Sequence, residues 1–148
     1  MRVRDIMSRS VASCSPETRL PEVARMMVDN DCGEIPVVNA SGAPIGVVTD
    51  RDITCRTVAE GRNPLVLEAG DCMTTPCVTV APEMTLEECC ETLEENQIRR
   101  VPVVDERGAL CGMVAQADIA RHAPKKETVK VLRKVSAPSL QGAQLQGH

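Results

Sequence analysis

The sequence predicts an α/β fold of the α+β kind, built from two copies of one strand, helix, strand, strand, helix unit. Three observations predict it. Residues 3–53 align with residues 69–119 at a constant offset of 66 without a gap, and self-similarity at a fixed period marks a repeated structural unit. Within each copy, short β-branched runs alternate with stretches whose apolar residues recur at helical spacing. The length of 148 residues, 43% of them hydrophobic and 26% charged, suits one compact domain or two small ones sharing a core.

The positions common to both copies include Asp5/Asp71, Met7/Met73, Pro16/Pro82, Leu20/Leu86, Asn30/Asn96, Pro36-Val37-Val38/Pro102-Val103-Val104, Gly46/Gly112 and Asp52-Ile53/Asp118-Ile119. Each copy opens with a short amphipathic turn ending in Met7 or Met73. An extended piece follows at 10–14 or 76–80; Cys77-Val78-Thr79-Val80, bounded by Pro76 and Pro82, has the composition of a strand. A helix comes next, since Leu20, Val23, Ala24 and Met27, like Leu86, Cys89, Cys90 and Leu93, fall on one helical face. Thr85-Leu86-Glu87-Glu88 has the form of a capping box, and Thr18 is the matching cap in the first copy, with Pro21 tolerated in the opening turn.

Residues 34–38 and 100–104 then read as strands, each leaving through a turn with Gly42 or Gly108 into a second strand at 44–48 or 110–114. A closing helix starts near residue 50 or 116. One unit cannot bury both faces of its sheet, and a pair can. The expected organisation is repeat 1 over 1–59, a linker over 60–68, repeat 2 over 69–122, a basic helix over 123–135 and a disordered tail over 136–148.

Composition narrows the function. No apolar run approaches the roughly 20 residues of a membrane span, and no apolar h-region follows Met1, so the expected location is the cytoplasm. Residues 1–120 carry 11 basic and 20 acidic side chains, a body that repels a phosphate backbone, and Phe, Tyr and Trp are all absent, which removes the platforms on which bases stack. Nucleic-acid and membrane partners are therefore not expected. The eight cysteines include no C-x-x-C pair, and only His122 and His148 are available beside them. Small buried hydrophobes are the expected role, with metal or redox chemistry the alternative. No P-loop and no nucleophile with a positioned base is visible, so the chain is not expected to be an enzyme.

The chemistry gathers at Gly46-Val47-Val48-Thr49-Asp50-Arg51-Asp52-Ile53, a buried strand running into a helix. A helix start offers free N–H groups to a phosphate, to which Thr49 and Arg51 can add donors, while Asp52 can accept from vicinal ribose hydroxyls. The same Thr-x-x-Asp is also a capping box, worth about 0.5–2 kcal/mol to any helix. The second copy keeps Asp118 but has Ala115, Gln116 and Ala117 in place of Thr49, Asp50 and Arg51. The first motif, with Asp52 at its centre, is therefore the expected ligand site, and the second is expected to be empty or to hold a ligand with less phosphate. Arg99 and Arg100 could supply charge from the neighbouring strand.

These residues resemble a tandem pair of CBS (cystathionine β-synthase) domains, a Bateman module. The likeness rests on Asp5-Ile6-Met7 and Asp71-Cys72-Met73, the Pro-Val-Val strands and Gly46 to Ile53, and it spans residues 3–122. It is similar to small stand-alone proteins of that kind, some of them bacterial stress or dormancy proteins. The resemblance implies two β-α-β-β-α units packed around a pseudo-twofold axis, and clefts that take adenosine-containing ligands such as AMP, ADP, ATP or S-adenosylmethionine, with no obligatory cofactor. It also implies disc-shaped homodimers and a conformational signal to an unidentified protein target. Thr49 and Asp52 take the phosphate and ribose roles by this likeness, beside Arg51 and Val47, with Arg100 and Asp118 for the second cleft. An adenine slot would be lined by Ile35 or Val101 and by Val11-Ala12 or Val78-Thr79. The rival expectations are a structural or protein-interaction module without nucleotide binding and a cysteine-based metal or redox sensor.

Overall fold

A computed structural model describes residues 1–122; the basic helix and tail expected over 123–148 lie outside the described residues. The elements are α1 (Val3–Ile6), α2 (Leu20–Asp29), β1 (Glu34–Val38), β2 (Pro44–Thr49), α3 (Asp50–Arg56), α4 (Leu86–Asn96), β3 (Arg100–Val104), β4 (Leu110–Ala115) and α5 (Gln116–His122). Each repeat carries an antiparallel hairpin, with Pro36 opposite Val47 and Pro102 opposite Met113. Gly42 and Gly108 turn the hairpins at φ of +85° and +81°, a region open to glycine and costly to most L residues. The Asn39 and Asp105 side chains accept from backbone N–H groups across those turns.

The extended pieces at 10–14 and 76–80 do not become strands. Each makes a single parallel bridge, Cys14 to Val37 and Val80 to Val103, closed by Cys14 N–H donating to the Pro36 carbonyl and Val38 N–H to the Cys14 carbonyl, with the same pattern at Val80, Pro102 and Val104. The next rung would need an N–H from Pro36 or Pro102. Proline has none, so the ladder stops after one pair.

Thr18 does not cap α2. Its hydroxyl oxygen accepts from Ser15 N–H in a local turn, and Arg19 precedes the helix without a side-chain cap, Pro21 sitting in the first turn. Thr85 does cap α4, accepting from Glu88 N–H at 3.2 Å.

The cores cross the sequence repeats. One cluster joins Leu20, Val23, Ile35, Val37 and Val48 of the first repeat to Ala69 and Cys72 of the second; the other joins Leu86, Cys89, Leu93, Val101, Val103, Val114 and Ile119 to Val3 and Ile6 of the first. The opening turns are thus exchanged. Backbone hydrogen bonds repeat the exchange with the same offset of 66: Val3 N–H donates to Met84, Arg4 to Pro82 and Leu86 to Met1, as Ala69 does to Thr18, Gly70 to Pro16 and Leu20 to Leu67. Glycine at 46 and 112 follows from this. A Cβ on Gly112 would lie 2.6 Å from Met7 Sδ, and one on Gly46 would lie 2.7 Å from the Thr74 carbonyl oxygen, so the opening segment of each repeat can cross the other's hairpin only over a bare backbone.

Four cysteines (14, 72, 89, 90) are buried, three are half-buried and Cys55 is exposed, all as free thiols. Burial pushes the Cys14 and Cys77 thiols up to about 11 and Cys89 to about 12, which keeps them protonated and poorly nucleophilic.

Candidate functional site

The exchanged segments bring each strand-to-helix junction against the other repeat. Ser8 pairs with Met113 on β4, and Thr74 with Val47 on β2, each through two backbone hydrogen bonds of 2.8–3.1 Å. Sequence left open which repeat completes which cleft; residues 8–12 face the Asp118 junction, and Thr74 faces Asp52.

At the first junction the capping box forms in full. Thr49 Oγ1 accepts from Asp52 N–H at 2.9 Å, and Asp52 Oδ2 accepts from Thr49 N–H at 3.0 Å. The Thr74 hydroxyl lies 3.1 and 3.2 Å from the two Asp52 oxygens, and Arg56 Nε stands 3.7 Å from Oδ1. This carboxylate, 12% exposed, is therefore engaged by backbone, hydroxyl and guanidinium at once. Arg51 is exposed one residue away.

At the second junction Ala115 removes one half of the box and the other half survives, with Asp118 Oδ2 accepting from Ala115 N–H at 2.7 Å. Asp118 thus keeps a capping role without a threonine partner. Among the described residues its other oxygen has only Arg121, at 3.8 Å, a separation too long for a hydrogen bond. Asp118 opens onto a cavity of about 270 Å³, close to the lower end of the roughly 300–1,000 Å³ of small-molecule sites. Its walls come from both repeats: Ser8, Ser10, Val11 and Ala12, then Asn30, Cys32 and Glu34 from the first; Arg100, Met113, Ala115, Ala117, Asp118 and Arg121 from the second. A depression lined in part by Gly33, Asp50 and Arg100 adjoins it through Arg100 and Cys32, which border both.

The candidate residues therefore divide. Asp118 and Arg100 meet at the cavity, with Val11 and Ala12. Thr49, Arg51, Asp52 and Val47 lie at the other junction, which Thr74 closes. Ile35 and Val101 are fully buried inside the two cores. Val78 packs against the second core and Thr79 is half-buried. Sequence reasoning missed Glu34, Thr74 and Arg121. The first two had a visible signal: offset by 66, Glu34 matches Arg100, an inverted charge at equivalent positions, and Thr74 matches Ser8, a hydroxyl following the opening methionine in each copy.

Glu34 carries the strongest carboxyl perturbation among the described residues. Burial pushes its carboxyl up to about 7, Arg100 works against that and Asp52 adds to it. Its Oε2 is buried without a hydrogen-bond partner among the described residues. No group of three or more His, Cys, Asp or Glu side chains among those residues is placed to hold a metal ion, and no helix among them is long and apolar enough to cross a membrane.

The family model for the CBS domain matches residues 3–56 and again 69–125. An uncharacterised protein of Methanopyrus kandleri is 34% identical over 122 residues, covering 82% of this chain and 62% of its own length. Hypoxic response protein 1 of Mycobacterium tuberculosis is 33% identical over 135 residues, covering 91% of this chain and 94% of its own length. The crystal structure of Hypoxic Response Protein I with two coordinated zinc ions superposes with a TM-score of 0.77 at 35% identity, over 84% of this chain and all of that one. The crystal structure of CBSX2 in complex with AMP gives a TM-score of 0.71 at 26% identity, over 82% of this chain and 95% of that one.

Proposed function

The chain belongs to the CBS-domain family as a tandem pair, and on that premise we propose that it is a non-catalytic regulatory module that binds an adenosine-containing ligand between its repeats. The observation that carries the proposal is the cavity at Asp118, where a carboxylate at a strand-to-helix junction faces a wall that includes Val11 and Ala12 of the other repeat. One Asp118 oxygen is available to ribose hydroxyls. Val11, Ala12 and Met113 offer apolar surface to a purine in a protein with no aromatic side chain to stack on it. CBSX2 in complex with AMP supports the ligand class.

The Asp52 junction is the second place for such a ligand. There Thr49 and Arg51 can donate to a phosphate, while the Asp52 carboxylate must share its ribose contacts with Thr74. The module works in the cytoplasm, and ligand in a cleft shifts the packing of the exchanged segments and so alters an unidentified protein target.

Calorimetric titration with AMP, ATP and S-adenosylmethionine tests the proposal, repeated on Asp118→Ala and Asp52→Ala. Loss of a charged hydrogen-bond acceptor costs about 1.5–3 kcal/mol, so Asp118→Ala is expected to weaken ligand in its cleft by roughly 10- to 100-fold. Heat from none of the three ligands would leave a structural or protein-interaction module as the reading, which the full engagement of Asp52 favours.

We also propose that two such pairs form a homodimer. Val28, Val58, Leu65 and Val66 are each 60% or more exposed and supply apolar surface for it. Sedimentation at micromolar concentration is expected to give twice the 16.0 kDa chain mass; a monomer there would remove this proposal.

A further inference from the structure

Glu34 opens β1 on the wall of the Asp118 cavity, and Arg100 opens β3 on the same wall. The two make no ion pair with each other, and Glu34 Oε2 stays buried and without a hydrogen-bond partner among the described residues. A desolvated carboxyl without a partner is costly, and because Glu34 lines the cavity, the charge it carries when ionised acts on whatever ligand group lies there.

The surroundings decide which ligand that is. Facing or flanking Glu34 are Arg100 from β3, Asp52 from α3, Cys77 from the opening segment of the second repeat and Cys32 just before β1, with Asp118 and Arg121 of α5 on the cavity wall. A phosphate placed there meets two carboxyl groups, Glu34 and Asp118, against two guanidinium groups, Arg100 and Arg121, so the ionisation of Glu34 decides the charge balance. Ala115 and Ala117 supply none of the donors that Thr49 and Arg51 offer at the other junction.

We propose that Glu34 is the specificity-determining residue of the Asp118 cleft, disfavouring a phosphate and favouring an adenosyl ligand whose facing group is cationic or donates N–H. The inference rests on the adenosyl-binding function proposed above and assigns to that cleft its ligand class. The carboxyl titrates near 7 because of its burial, so the selection is itself pH-dependent: the neutral acid tolerates a phosphate, the carboxylate repels it and attracts a cation.

The test is an NMR titration of the full chain with adenosine, AMP and S-adenosylmethionine at pH 6 and pH 8. It is followed at the backbone amides of Ser10, Ala115 and Asp118, which line this cleft, on wild type and Glu34→Gln. In wild type the affinity of AMP relative to adenosine is expected to fall by about tenfold from pH 6 to pH 8, a change equivalent to about 1.4 kcal/mol. S-adenosylmethionine is expected to move the opposite way, and Glu34→Gln to remove from each trend the part that exceeds the ligand's own titration. The ligand's own phosphate titration is common to the two proteins and cancels between them.

An AMP to adenosine ratio at pH 8 that Glu34→Gln leaves unchanged would overturn the inference while adenosine binding kept the module's function standing. Shifts with none of the three ligands in wild type would overturn both. As a readout independent of the variant's folding, the Glu34 carboxyl ¹³C midpoint in wild type is expected to rise when AMP binds and fall when S-adenosylmethionine binds. A midpoint that neither ligand moves would also overturn the inference.

Discussion

Replacing Ile6 by alanine is expected to loosen the second repeat first, although Ile6 lies in the first. Its side chain is 5% exposed and packs in the cluster of Leu86, Leu93, Val101, Val114 and Ile119. Truncation of a buried isoleucine removes transfer free energy and leaves a cavity, at a cost of about 2–5 kcal/mol. Val3→Ala, fully buried in the same cluster, deepens the same defect, and the two are close enough that their effects need not add. Urea unfolding gives the size and hydrogen exchange gives the place. Protection is expected to fall first in α4, β3 and α5, with β1 and β2 retaining theirs. Cys72→Ala, the counterpart from the other exchanged turn, should reverse the order. Loss beginning in α2 and β1 for Ile6→Ala would contradict the exchange.

How far the sequence disclosed this arrangement depended on the range of the interaction that fixes each element. The hairpins, α2, α4 and the helices after Thr49 and Ala115 were legible because periodicity, caps and turn glycines act within a few residues. The strand expected at 76–80 failed for a local reason on a distant partner: Cys77 to Val80 has strand composition, and Pro102, with no N–H, ends the ladder. The exchange of opening turns was not legible at all, since nothing in Val3 or Ile6 says whose core they enter. Gly46 and Gly112 hinted at a close approach without naming what approaches. The site divided in the same way. Spacing singled out Asp52 and Asp118 as candidates; their different states depend on Thr74 and on residues 8–12, which arrive from the other repeat. Glu34 was passed over because an acidic residue before a strand looks solvated until the cavity and the neighbouring Asp52 are placed around it.

Glu34→Gln is expected to stabilise the protein at pH 8 and to leave it unchanged near pH 4.5. The ordinary carboxyl value is 4.5 and the folded one is about 7, raised by burial, lowered in part by Arg100 and raised again by Asp52. Below pH 4.5 the group is protonated in both states and contributes no difference. Between 4.5 and 7 the unfolded chain releases its proton while the folded chain keeps it, so stability falls as pH rises. Above 7 the full penalty is present, of the order of 3 kcal/mol. Exposed pairs such as Arg4 with Glu83 contribute about 0–1 kcal/mol each, so Glu34 should dominate the pH dependence over this window. The variant keeps the shape of the side chain and has no proton to lose, and the amide can donate where the carboxylate could not. The measurement is denaturant unfolding of both proteins at half-unit steps from pH 4.5 to 8, read as a difference curve. It should rise through the window and level off above pH 7, with the variant melting several degrees higher at pH 8. A flat difference curve would mean that water or a neighbouring cation already neutralises Glu34 in the folded protein, and the charge selection assigned to the Asp118 cleft would lose its physical basis.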